Sequence, residues 1–249
     1  MVFLHCFSCC CCCCCCCLTP NIFLYFQKCI VGQYPLRLCG HLCGDRAVQV
    51  LNGDSTFVKH LIACGFQRVQ VNATSVNGVD TSAAALMAQV PMLRQVMLET
   101  PELEWIVQKN DETTPLLQGL MFSSSLNSSN SSSSETNVVS PSNLSVLNDA
   151  SMGLGVLIAH FDPPPSVVEV PKGCGYAGGI GPLNIVEVLE SIKQVANGRA
   201  IWVDMESSLR RVDSNGVDVF DVDKCLDCCR QTVELCCTSR QVPGAGTSR

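Results

Sequence analysis

From residue 35 onward, short apolar runs alternate with amphipathic helical patterns, and this alternation leaves few architectures open. Leu36–Leu42 reads as a strand, followed by a helix over 54–64 with Asp54 or Ser55 at its N-cap. Arg68–Asn72 is a second strand. The Ala/Met/Leu-rich stretch Ser82–Leu98 is a helix expected to break or kink at Pro91. Glu104–Gln108 is a third strand, and Thr114–Met121 a short helix. Leu144–Asn148, Tyr176–Ala177 and Ile201–Met205 complete six strands, with helices over Leu183–Val195 and Val222–Leu235. Strands that alternate with helices pack as a parallel sheet with right-handed crossovers. The expected class is therefore α/β, a (β/α)8 TIM-barrel-like fold with about six of its eight strands recognisable. Either the barrel is incomplete at its N-terminus, or residues 1–34 supply strands that the pattern does not reveal. A chain of 249 residues suits one such domain, placed at 35–240.

Two segments depart from the pattern. Residues 123–142 are mostly Ser and Asn, with little to bury, and read as a disordered insertion where a barrel tolerates one. Residues 1–34 form a Cys-rich, low-complexity leader outside the fold. Ten of the 20 cysteines lie in the first 17 residues, nine of them in the unbroken run Cys9–Cys17. Disulfides and zinc sites need defined spacing, which a homopolymer lacks. Residues 1–27 carry no Asp, Glu, Lys or Arg and are long enough to span a bilayer, so a membrane anchor is the alternative. They lack the early positive charge and the cleavage site of a secretory signal. The scattered remaining cysteines point to a reduced compartment, the cytoplasm or a plastid. The formal charge of −6, with no basic cluster, argues against a nucleic-acid surface.

The chemistry concentrates at two strand ends. Gly175-Tyr176-Ala177-Gly178-Gly179-Ile180-Gly181-Pro182 closes a strand on paired glycines and leads at once into a helix. Glycines let backbone N–H groups approach a ligand closely, and a helix N-terminus adds partial positive charge, so Gly178, Gly179 and Ile180 read as a phosphate cup. Loops after the last two strands of a barrel often build such a site. Asp149 follows another strand, where a barrel places catalytic groups; it is either a general acid or a loop-capping carboxylate. Asn72 and Gln108 also end strands, as pocket-lining groups or as closures of the sheet. Asp204 and Glu206 alternate with Val203 and Met205, and a salt bridge from them to Arg210 is expected. Arg210 is also a candidate ligand contact.

A metal is not called for. Cys225, Cys228, Cys229 and Cys236 share one face of a single helix, which reads as buried apolar surface rather than a zinc knuckle. His41 and His160 show no paired ligand spacing. No cofactor is implied.

Val146-Leu147-Asn148-Asp149-Ala150-Ser151-Met152-Gly153-Leu154-Gly155, then Ala177-Gly178-Gly179-Ile180, then Val203-Asp204-Met205-Glu206-Ser207-Ser208 together resemble the phosphoribosylanthranilate isomerases of tryptophan synthesis. The resemblance covers residues 36–237 loosely and is sharpest over 144–210. It implies a (β/α)8 barrel, N-terminally incomplete here, that binds a phosphorylated sugar, with Ser207 and Ser208 in a second phosphate-binding turn. It also implies an Amadori rearrangement of an aminoaldose to an aminoketose, with Asp149 as general acid. Family members carry a catalytic Cys in a Lys-x-Cys-Gly setting. Arg37-Leu38-Cys39-Gly40 mimics it with Arg37 in the Lys position, and Cys43-Gly44 is a second copy. Cys39 is thus the candidate base, or a core cysteine. The alternative is a catalytically inactive barrel that binds a phosphate ligand, or a truncated gene product.

Overall fold

The computed structural model describes residues 37–122, 140–149 and 160–238. The Cys-rich leader, residues 123–139 of the expected insertion and the glycine-rich stretch Ser151–Gly155 lie outside them. Six strands form one sheet in chain order: β1 (Cys39–Leu42), β2 (Arg68–Val71), β3 (Glu104–Lys109), β4 (Leu144–Asn148), β5 (Gly173–Tyr176) and β6 (Ile201–Val203). Strands β1 to β4 pair in parallel. Helices alternate with the strands: α1 (Asp45–Leu51), α2 (Thr56–Ala63), α3 (Ala83–Glu99), α4 (Thr114–Phe122), α5 (Ile185–Val195) and α6 (Val222–Thr238). This is an α/β, TIM-barrel-like fold, incomplete among the described residues. No helix among them is long and apolar enough to cross a membrane.

The chain divides into two compact units. The first holds β1 to β4, α1 to α4 and the chain up to Gly175 that begins β5. Its sheet has two chemically distinct faces because side chains alternate along each strand. One face carries Gly40, Leu42, Val69, Val71, Trp105, Val107, Leu144 and Val146, and every one but Gly40 is fully buried. Helices cover it: a Cβ on Gly40 would lie 2.8 Å from Leu61 of α2. The other face carries Cys39, His41, Arg68, Gln70, Glu104, Ile106, Gln108, Ser145 and Leu147. At its N-terminal end an ionic cluster is buried. Arg68 Nη2 sits 2.7 Å from Glu104 Oε1, Ser145 Oγ donates to the same oxygen at 2.6 Å, and Arg37 Nη2 reaches Oε2 at 3.0 Å.

Helix α3 corrects one expectation. It runs unbroken through Pro91, capped by Ser82 Oγ, which accepts from the Ala85 N–H. Leu86, Val90, Leu93, Val96 and Met97 are buried along it, and that apolar stripe outweighs the hydrogen bond that Pro91 cannot make. Residues 140–142, placed in the expected disordered insertion, are described and packed. Ser140 is buried, its hydroxyl donates to the Glu169 carbonyl, and the Leu144 N–H donates to the Pro141 carbonyl, so 140–142 lead directly into β4.

The second unit holds α5, β6, α6 and Tyr176 at the end of β5. It adds a hairpin that the sequence pattern did not disclose, β7 (Arg210–Val212) antiparallel to β8 (Asp218–Phe220) in a separate two-stranded sheet. Asp213 Oδ1 closes its turn by accepting from the Asn215 and Val217 N–H groups.

Candidate functional sites

In the first unit, parallel pairing collects the C-terminal ends of β1 to β4 at one end of the sheet. Cys43 and Asn72, directly after β1 and β2, fall by the register in one row with Gln108 and Leu147. A hydrogen-bond chain joins its members. Gln70 Nε2 donates to Asn72 Oδ1 at 2.9 Å, and Asn72 Nδ2 donates to Cys43 Sγ at 2.9 Å. Asp149 follows β4, 5% exposed; its N–H donates to the Lys109 carbonyl at 3.2 Å, and Gln108 Nε2 reaches its Oδ2 at 3.4 Å. Next to it, Asn148 Nδ2 donates to Cys174 Sγ at 3.1 Å.

Three of the residues chosen from sequence, Asn72, Gln108 and Asp149, therefore lie at the same end of this unit. Cys39 does not. It opens β1, in the row of Arg68 and Glu104, and Asp149 is six residues beyond the matching position on β4. At 3.3 Å per residue the two are separated by about 20 Å along the strand direction, too far to share one substrate atom. The cysteine at the Asp149 end is Cys43, four residues further along the same strand. Gln70, also missed from sequence, carries the network between Asn72 and the interior of the face.

In the second unit, the loop after β5 and the turn after β6 are locked together. Gly178 (φ 110°) and Gly179 (φ 61°) both occupy the left-handed region, which no branched side chain tolerates well. Asn184, at the N-terminus of α5, braces the loop from below. Its Nδ2 donates to the Gly179 carbonyl at 2.9 Å, and its Oδ1 accepts from the Gly181 N–H at 2.8 Å. Ser208, in the 3-10 turn Ser207–Leu209, donates through Oγ to the Ile180 carbonyl. The two segments pack so closely that a Cβ on Gly181 would lie 2.6 Å from Ser208 Cβ.

Among the described residues, the N–H groups of Gly178, Gly179, Ile180, Ser207 and Ser208 have no acceptor. Gly178 and Ile180 are buried, and buried amides in folded proteins are almost always paired. A cluster of five open donors on two fixed turns is the chemistry of an anion cradle. Asn184 was not singled out from sequence, although a polar residue just before a helix was the available signal.

Arg210 departs from expectation. Its partner is Asp218 across the hairpin, Nε to Oδ2 at 2.8 Å, rather than Asp204 or Glu206, because the unforeseen β7–β8 pairing places Asp218 alongside it. Arg211 pairs with Asp221 at 3.3 Å. On α6, Cys228 is buried and Cys225 and Cys229 half-buried, but Cys236 is exposed, so the cysteines do not form a single buried face. Burial first, then the neighbouring Cys225, Asp227 and Cys229, push the Cys228 thiol up to about 11. Among the described residues no group of three or more His, Cys, Asp or Glu is arranged to hold a metal.

No known protein family and no curated protein matches the sequence. Among solved structures, the fold is similar to that of N-(5'-phosphoribosyl)anthranilate isomerase from Pyrococcus furiosus. The TM-score is 0.39 at 13% identity, over 85% of this chain and 80% of that one.

Proposed function

We propose that the protein binds a phosphorylated sugar, gripping its phosphate with the backbone of Gly178, Gly179 and Ile180 and with Ser207 and Ser208. The observation that carries this reading is the set of five backbone donors that, among the described residues, have no acceptor, on two turns fixed by Asn184 and Ser208. A phosphate offers several acceptor oxygens to such a cradle, and the N-terminus of α5 behind the loop favours its charge.

The reaction that fits this reading is an aldose–ketose isomerisation of the kind used in tryptophan biosynthesis. It needs an acid to open the sugar ring and a base to take the C2 proton. Asp149 takes the acid role. The base role moves from Cys39 to Cys43, which lies at the same end of the strands as Asp149 and whose sulfur accepts a hydrogen bond from Asn72. A protein that keeps the phosphate grip without turnover is the second reading. It is favoured by the strand order: among the described residues Cys43 lies three strands from Asp149, about 14 Å across the sheet.

Titration with inorganic phosphate, followed through the backbone amide resonances, tests the grip. The signals of Gly178, Gly179, Ile180, Ser207 and Ser208 move and saturate. Gly179→Val abolishes the response while the remaining spectrum stays folded, because a branched residue at φ 61° forces the loop out of shape. Unmoved signals in the unaltered protein at millimolar phosphate reject the reading.

A further inference from the structure

We propose that the outward side of α6 is an interface for a second copy of this chain, the two helices packing antiparallel about a twofold axis. The inference rests on α6 alone and not on the phosphate grip.

Helix α6 carries two apolar stripes, and the fold uses one of them. Cys228 and Thr232 are buried, and Gln231 Nε2 donates to the Pro182 carbonyl at 2.9 Å, which defines the inner side. Val222, Leu226, Cys229, Val233 and Cys236 recur at intervals of four and three residues on a second side, about 100° around the helix from the first. Val222 is 60% exposed, Leu226 54% and Val233 60%, at positions where a surface helix normally carries polar groups. An exposed apolar repeat of fours and threes is the seam that a second helix fills, because it keeps one stripe in contact along the shared axis. A lipid surface needs no such repeat, and it would meet the carboxylates of Asp223, Asp227 and Glu234 beside the stripe.

The charges flanking the seam decide which helix fills it. Asp223 and Arg230 lie on the same flank, seven residues apart. When two copies of α6 run antiparallel, Val222 meets Val233 of the second copy, and Leu226 meets its Cys229. The same twofold axis sets Asp223 beside Arg230 of the second copy and Arg230 beside its Asp223, so one symmetry operation makes two opposite-charge pairs. Parallel pairing instead sets Arg230 against Cys225, with no charge to meet. Within one chain, Arg230 Nη1 holds Asp227 Oδ1 at 3.0 Å in an exposed pair, which is cheap to exchange. Gln231 Nε2, 3.0 Å from Asp227 Oδ2, keeps that carboxylate bonded when Arg230 turns away.

Sedimentation equilibrium of the full chain across the micromolar range reads the association. A reductant excludes disulfide-linked species from the exposed Cys236 and Cys237. The unaltered protein is a dimer that dissociates on dilution. Leu226→Glu, which puts a carboxylate into the seam twice, is monomeric. Asp223→Arg and Arg230→Asp each weaken association about tenfold, since each turns two attractions into repulsions, and the variant carrying both exchanges recovers it. These two exposed positions keep the test decisive should Leu226→Glu fail to fold. A monomer at every concentration, a dimer that Leu226→Glu leaves intact, or a double exchange that recovers nothing overturns the proposal. Cosedimentation of a monomer with phosphatidylcholine vesicles, lost in Leu226→Glu, assigns the face to lipid and overturns it equally.

Discussion

Glu104 is the residue on which the polar face of the first unit depends. Burial by itself pushes its carboxyl up, but the Arg68 guanidinium, the Ser145 hydroxyl and Arg37 together override that and hold it below the ordinary carboxylate range. A carboxyl whose folded pKa is depressed stabilises the fold above its unfolded value. That contribution disappears as pH falls through the depressed folded value. Glu104→Gln removes the carboxylate 2.7 Å from the Arg68 guanidinium, itself 2% exposed, and costs about 3–5 kcal/mol. Denaturant titrations across the acid range show this loss, together with a flatter dependence of stability on pH than in the unaltered protein. At Asp149 the expected effect is on rate instead. On the isomerase reading proposed above, Asp149→Asn is expected to lower turnover by about 10²–10⁴-fold with little change in ligand affinity, measured by steady-state kinetics beside direct binding. A drop in stability with turnover intact assigns the residue to loop capping. Asp149, Gly178 and Gly179 were legible in the sequence because each sits where an apolar run stops. Cys39 and Cys43 were not separable in that way. The repeated Cys-Gly pairs lie four residues apart, and only the strand boundary decides which of them reaches the C-terminal end of the sheet.

Among the elements, the alternation of strands and helices was readable because each buried stripe keeps its own period. What escaped was short or held by unusual contacts. Helix α1 has seven residues and starts at Gly44 with no side-chain cap, so it offers neither length nor a start signal. The β7–β8 hairpin did leave a mark, Asn215-Gly216 at its turn, but three-residue strands with exposed ends carry almost no hydrophobic pattern. The contact of α3 with α4 is tighter than composition suggests. A Cβ on Gly119 of α4 would lie 2.4 Å from Val90 Cγ2 and 3.1 Å from Met87 Sδ, and Arg94 Nη1 spans to the Leu120 carbonyl at 3.0 Å. Gly119→Ala therefore destabilises by about 1–3 kcal/mol despite the better helix propensity of alanine, because Val90 is buried and cannot move aside. Chemical denaturation measures it; a stabilised variant shows that the two helices separate freely.

For the whole molecule, the proposed phosphate grip would link binding to stability. Inorganic phosphate at a hundred times its dissociation constant adds about 2.7 kcal/mol to a fold that binds it only when native. For a chain of this size that raises the melting midpoint by about 5–10 °C in calorimetry. Gly179→Val loses the increment, and sulfate, with similar geometry, reproduces part of it.

The two-faced sheet has a consequence for how the chain finds its pairing. If β2 slid by one residue against β1 and β3, Arg68 and Gln70 would turn into the apolar layer under the helices. Val69 and Val71 would in turn meet Glu104 and Ser145. Such a slip abandons the ion pair and desolvates a guanidinium in the same motion, so a wrong alignment is rejected while it forms. Arg68 and Glu104 thus hold β2 in its register, a role that needs no ligand.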